Sequence, residues 1–159
     1  MIHHAQAGHL GAHDTAASGG FTQDQFAGTF AYRFSGYSVL TGVTYRLAGL
    51  GCYQIDAQGN VTGTQRSSIT ALQTQGAKLQ TGDYTVAGTM TMQSDGTGSA
   101  TLTFTKTAGS GQAIQGEFNV MAAGSADRLW LVSSGGVVLG SSDDADELVD
   151  GEAVRIAAA

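Results

Sequence analysis

The stretch Gly51-Cys52-Tyr53-Gln54-Ile55-Asp56-Ala57-Gln58-Gly59-Asn60-Val61-Thr62-Gly63 decides the fold. Tyr53 and Ile55 alternate with Cys52 and Gln54, the period of a half-buried strand. Asp, Gly and Asn then supply residues suited to a tight turn, and a second strand leaves from Val61. The pattern returns at Met90-Thr91-Met92-Gln93-Ser94-Asp95-Gly96-Thr97-Gly98, running on into Ser99-Ala100-Thr101-Leu102-Thr103-Phe104. Each time, two extended runs joined by an Asp/Gly turn predict an antiparallel hairpin.

Upstream, Phe26, Gly28, Phe30, Tyr32 and Phe34 share one face against Ala27, Thr29, Ala31 and Arg33, a strict alternation. Ser35-Gly36-Tyr37 reads as a break. Residues 42–56 form a long extended region with a bulge or sharp bend expected at Gly49 and Gly51. Tyr45, Leu47, Tyr53 and Ile55 are its predicted inward residues, with Cys52 and Gln54 opposite. Downstream, strands are predicted over 61–69, 83–86, 89–93, 98–106, 112–122, 128–132, 137–139 and 152–157, with a loop over 70–82.

Composition agrees. The chain has 159 residues, 24 of them Gly and none Pro, few charges, and abundant Thr, Ser, Gln and Val. That describes one domain of short strands joined by glycine turns rather than helices. Eight to ten strands with hairpin connections and no crossover helices predict an all-β fold, a single antiparallel up-and-down barrel, with a β-sandwich as the alternative. Glycines on otherwise inward faces (Gly28, Gly51, Gly63, Gly116) fit the bends of a closed barrel.

The formal charge of −6 arises largely between Asp143 and Glu152, which hold six of the thirteen acids; the remainder of the chain is balanced. No cluster of Lys/Arg offers itself to phosphates, so neither nucleic acid nor an anionic membrane surface is an expected partner. Cys52 is the only cysteine and excludes an internal disulfide. Met1 to Gly20 lacks the pattern of a signal peptide and no apolar run reaches membrane-spanning length, so a soluble protein is expected, cytoplasmic or a mature secreted form.

Two segments invite a metal-binding reading. Residues 1–22 read as a flexible arm carrying His3, His4, His9 and His13, ahead of a barrel domain over 23–159. Imidazoles bind zinc, copper or nickel, but their spacing here is not that of a structural zinc site. Residues 141–152 read as an acidic loop with Asp143, Asp144, Asp146 and Asp150, without the ordered spacing, Gly and closing Glu of a calcium loop. No metal and no cofactor is therefore expected.

Phe26-Ala-Gly-Thr-Phe30, then Asp56-Ala-Gln-Gly-Asn-Val-Thr-Gly63, then Thr81-Gly-Asp-Tyr-Thr-Val86 resemble the opening of a small lipocalin-like barrel. Bacterial lipocalin-like domains, avidins and allene-oxide-cyclase-like barrels share this order of a Gly-aromatic strand, a Gly-Asn turn and a Gly-x-Tyr strand. The resemblance spans roughly residues 26–132 and implies a calycin-type barrel around a ligand cavity.

The expected cavity wall is apolar with a few phenols: Phe30, Phe34, Met90, Met92, Phe104, Phe118 and Trp130 as ligand contacts, and Tyr32, Tyr53 and Tyr84 as groups able to donate a proton or stabilise an oxyanion. Charged partners for such chemistry are Arg33, Asp83, Glu117 and Arg128, of which Arg33 and Glu117 face outward by alternation. Every histidine lies in the arm, so no Ser/His/Asp set forms, and Cys52 has no basic neighbour in sequence. Three readings stand. The barrel binds an apolar small molecule, or it is a cofactor-free isomerase, cyclase or lyase for a terpenoid, polyketide or oxylipin-like substrate, or it is a structural domain with a filled core. Packing of neutral outer faces into a homo-oligomer is compatible with each.

Overall fold

A computed structural model of the chain describes residues 20–40, 42–72, 76–109, 111–140 and 146–159. The strands are β1 (Gly28–Leu40), β2 (Val43–Ile55), β3 (Asn60–Ala71), β4 (Gln80–Met92), β5 (Thr97–Lys106), β6 (Ile114–Ala122), β7 (Arg128–Val138) and β8 (Asp146–Ala158). Each pairs antiparallel with the next, and β8 pairs back onto β1, so the sheet closes into an eight-stranded up-and-down barrel. Closure excludes the sandwich alternative and leaves no free sheet edge to protect.

The hairpin signals translate directly into turns. Between β2 and β3, Asp56 Oδ1 accepts hydrogen bonds from the backbone N–H of Gln58 (2.9 Å) and Asn60 (2.8 Å), and Oδ2 accepts one from Asn60 Nδ2 (2.7 Å). These bonds, led by the Asn60 side chain, hold the Asp56 carboxyl below its ordinary range. Gly59 completes the turn at φ +88°, where a Cβ would also stand 2.1 Å from the Met90 carbonyl oxygen. Between β4 and β5, Asp95 Oδ1 plays the same part, accepting from Thr97 N–H (2.9 Å) and Oγ1–H (2.7 Å).

Several sequence expectations change in the fold. The break at Ser35-Gly36-Tyr37 is absent: β1 runs unbroken because Gly36 lets β8 approach closely, a Cβ there falling 2.7 Å from Val149 Cα. No bulge interrupts β2 at Gly49 or Gly51, where the register with β1 and β3 is continuous. The register shifts instead at Thr29/Phe30 against β8 and at Glu117/Phe118 against β7. The strands expected over 83–86 and 89–93 are one strand, β4, and the expected 128–132 and 137–139 strands are likewise one, β7. Asp146 to Glu152 belong to β8 rather than to a loop, and Glu152 pairs with Arg33 (3.3 Å) and Arg128 (2.5 Å) on the outer wall. His3, His4, His9 and His13, with most of the expected arm, and Asp143 and Asp144 lie outside the described residues.

One end of the barrel is plugged. A one-turn 3-10 helix, Gln23–Phe26, starts where the Thr22 N–H donates to Gln25 Oε1 (3.2 Å), and inserts Phe26 with no residual exposure. It is tied to the turns at that end from three sides. Gln23 Oε1 accepts from Met92 N–H (2.8 Å), Phe21 N–H donates to the Ser94 carbonyl (2.9 Å), and the Arg155 guanidinium donates to the Gln25 and Ala126 carbonyls. Arg155 also lies over the Phe30 ring, 5.4 Å from its centroid. Above the plug, Phe30, Ile55, Val61, Val86, Met90, Met92, Val120 and Leu129 fill the interior. The outer wall of β3 and β4 is polar, with Thr62, Thr64, Arg66, Thr81, Asp83, Thr85, Thr89 and Thr91 exposed.

Candidate functional site

The half of the barrel away from the plug is not filled. A partly open cavity of about 120 Å³ runs there, walled mainly by Tyr32, Phe34, Leu102, Phe104, Phe118 and Leu131, with Tyr53 at its deep end. On β1 the lining spans Tyr32 to Ser38, about 20 Å of extended strand.

Register explains how the rings come to lie as they do. Tyr32 on β1 faces Gly51 on β2, Gly51 faces Gln65 on β3, and Gln65 faces Tyr84 on β4. Two strand spacings, about 10 Å, separate Tyr32 from Gln65. With no side chain at Gly51, the Tyr32 ring lies across it and its hydroxyl donates to Gln65 Oε1 at 2.7 Å. A Cβ on Gly51 would stand 2.6 Å from Tyr32 Cε1. One row towards the mouth, Phe34 lies across Gly49 in the same way, a Cβ there falling 2.4 Å from Phe34 Cε1. On the far wall Gly116 makes room for Phe118, whose ring meets Phe104 edge-on at 6.4 Å. The glycines that read as bends in β2 are the floor on which aromatic rings rest.

The phenols form the deep polar part of the wall. Tyr53 is 4% exposed, its ring 4.8 Å from that of Tyr32 and 5.9 Å from that of Phe30. Burial pushes the Tyr32 and Tyr53 hydroxyls well above the ordinary phenol range, Tyr32 being raised further by its neighbour Tyr53. Both therefore stay protonated and act as hydrogen-bond donors. Gln65 passes the Tyr32 contact on to Ser67, with Nε2 donating to Oγ at 3.5 Å. Tyr53 makes no hydrogen bond among the described residues. Ser38, 3% exposed near the other end of the channel, has a hydroxyl with no partner.

The structure thus places Tyr32, Tyr53, Tyr84, Phe34, Phe104 and Phe118 on one cavity. Phe30, Met90 and Met92 are packed instead into the closed core beneath it, because the 3-10 plug consumes that half of the interior. Trp130 requires a correction: it is 49% exposed on the outer wall, opposite Met121 and Glu152, while its neighbours Leu129 and Leu131 turn inward. It borders an external groove with Arg33, Arg128 and Glu152. Arg33 and Glu117 are exposed, as alternation requires, and Arg33 pairs with Glu152. Asp83, held below the ordinary carboxylate range by Arg66, forms a two-point ion pair with it at 2.6 and 2.8 Å on the outside. Cys52 is half-buried on the outer side of β2, between Ala31 and Thr64. Sequence reasoning missed Ser38, Gln65 and Ser67. Their signal was parity: each is a polar residue on the inward-facing register of its strand.

Among the described residues the cavity wall holds no carboxylate, imidazole, ammonium or thiol, and the one charged residue there, Arg33, turns its guanidinium out to Glu152. Among the described residues no group of three or more His, Cys, Asp or Glu is placed to hold a metal ion. An eight-stranded closed antiparallel barrel is compatible with a calycin-like fold. Comparisons with protein-family models, with curated proteins and with solved structures found no match to this chain.

Proposed function

We propose that the protein binds a small hydrophobic molecule in the channel between Tyr53 and Ser38. The observation that carries this reading is the lining: aromatic and aliphatic side chains from all eight strands converge on one unfilled space, interrupted by a few neutral hydroxyls and one amide. Apolar walls with a small number of fixed polar groups are the usual composition of a small-molecule site. The same lining disfavours the isomerase or cyclase reading. Tyrosines raised above their ordinary range hold their protons, and among the described residues no carboxylate or imidazole stands beside them to accept one. Volume speaks against a purely structural domain, since a filled core would leave no space among Leu102, Phe104 and Leu131.

Cumene, a neutral branched ring compound, is a suitable first probe. Unliganded cavities of this order and lining take up a single aromatic ring. Titration followed by amide ¹H–¹⁵N shifts is expected to saturate with a dissociation constant of about 1 mM or tighter. Shifts should centre on Tyr32, Leu102, Phe104 and Leu131. Ser67→Leu, which adds an apolar side chain inside the channel, is expected to abolish saturation while leaving the fold intact. Equal binding by the variant, or shifts confined to the outer groove at Trp130, would refute the reading.

A further inference from the structure

Two deeply buried residues on the channel wall, Tyr53 and Ser38, carry hydroxyls with no partner among the described residues, and their character specifies what should enter. Tyr53 sits at the deep end with its ring clamped between Phe30 and Tyr32, and its hydroxyl has no partner among the described residues. Ser38 lines the outer part of the same channel with its Oγ buried and unpartnered. Of the other inward polar groups, Tyr32 donates to Gln65 and Gln65 to Ser67, while Tyr84 on the same wall is only half-buried. Buried polar groups are nearly always paired, so the unsatisfied Ser38 Oγ, with the unbonded Tyr53 hydroxyl on the same wall, points to a partner supplied from outside the chain.

Charge narrows the class. Among the described residues no cation faces the channel, since the Arg33 guanidinium is on the outer wall against Glu152. A carboxylate drawn inside would lose its hydration with no counter-ion, a cost that phenol and serine donors do not offset. A neutral carbonyl or ether oxygen loses far less and accepts a hydrogen bond from either hydroxyl.

Resting on the binding reading above, we infer that the ligand is an uncharged, largely apolar molecule bearing oxygen acceptors, which the Tyr53 and Ser38 hydroxyls recognise. Selection against fatty-acid-like anions follows from the same wall.

Three probes of one shape separate the possibilities: cumene (apolar), acetophenone (neutral acceptor) and benzoate (anion). They are titrated against the wild-type protein, Tyr53→Phe, Ser38→Ala and the double variant. Each substitution deletes a hydroxyl that has no partner in the empty protein, so the variants are expected to fold as well as wild type. The double variant should bind acetophenone about tenfold more weakly, with cumene unchanged or tighter, and the single variants apportion the loss. Benzoate should not bind measurably. Acetophenone affinity unaltered in the double variant, or benzoate binding as well as acetophenone, overturns the inference while cumene binding leaves the proposed function standing. Failure of cumene itself removes both.

Discussion

Phe30→Ala is expected to cost about 3–5 kcal/mol of folding stability, the range for truncating a fully buried aromatic. Phe30 has no exposed surface, stacks beneath Tyr53, and carries the Arg155 guanidinium over its other side. Its loss would open a void between the 3-10 plug and the channel, undermining both the closure and the orientation of Tyr53. Urea unfolding should show the midpoint falling with an unchanged slope. A loss below about 1 kcal/mol would mean that the base of the barrel is not the packed core described. Phe30→Leu, which keeps most of the volume, should cost far less.

Gly51→Ala is the second large effect, and its interest is that a single methyl group on a strand is ordinarily harmless. Here the Cβ would lie 2.3 Å from the Thr64 carbonyl oxygen and 2.6 Å from Tyr32 Cε1. The carbonyl belongs to the β2–β3 ladder and cannot retreat, so the adjustment falls on Tyr32, whose hydroxyl then loses Gln65. A destabilisation of about 3 kcal/mol is expected, at the upper end for overpacking, together with loss of cumene binding. Near-wild-type stability by thermal unfolding, with the Tyr32 ring signals unmoved, would contradict the glycine-floor geometry.

These two positions also mark what the sequence made legible. Period-two alternation with Asp/Gly turns was sufficient for strand direction, hairpin order and the inward aromatics. Those signals are local, and the pleat enforces them. Whether a glycine in a strand bends the chain or seats a neighbour's ring depends on the register with the adjacent strand, so Gly49 and Gly51 could not be assigned from β2 alone. The division of the inward aromatics between core and cavity was equally hidden. Phe30 and Phe34 look alike in sequence, and only the plug at Gln23–Phe26, with Gln23 reaching Met92 and Arg155 reaching Gln25, decides which of them is sealed in. Trp130 was within reach of the sequence, since Leu129 and Leu131 claim the inward parity on either side of it. Parity also turned Ser38 inward, but that its hydroxyl goes unsatisfied depends on its surroundings in the fold.

The channel itself is the central claim, and xenon tests it without any assumption about the ligand. Xenon enters apolar cavities in proportion to the empty, unhydrated space they offer. In a crystal of the protein equilibrated under xenon pressure, an ordered atom is predicted among Tyr32, Leu102, Phe104 and Leu131, and Ser67→Leu crystals should lack it. Side chains closed over that space in the wild-type crystal, with xenon absent or confined to the outer surface, would contradict the account.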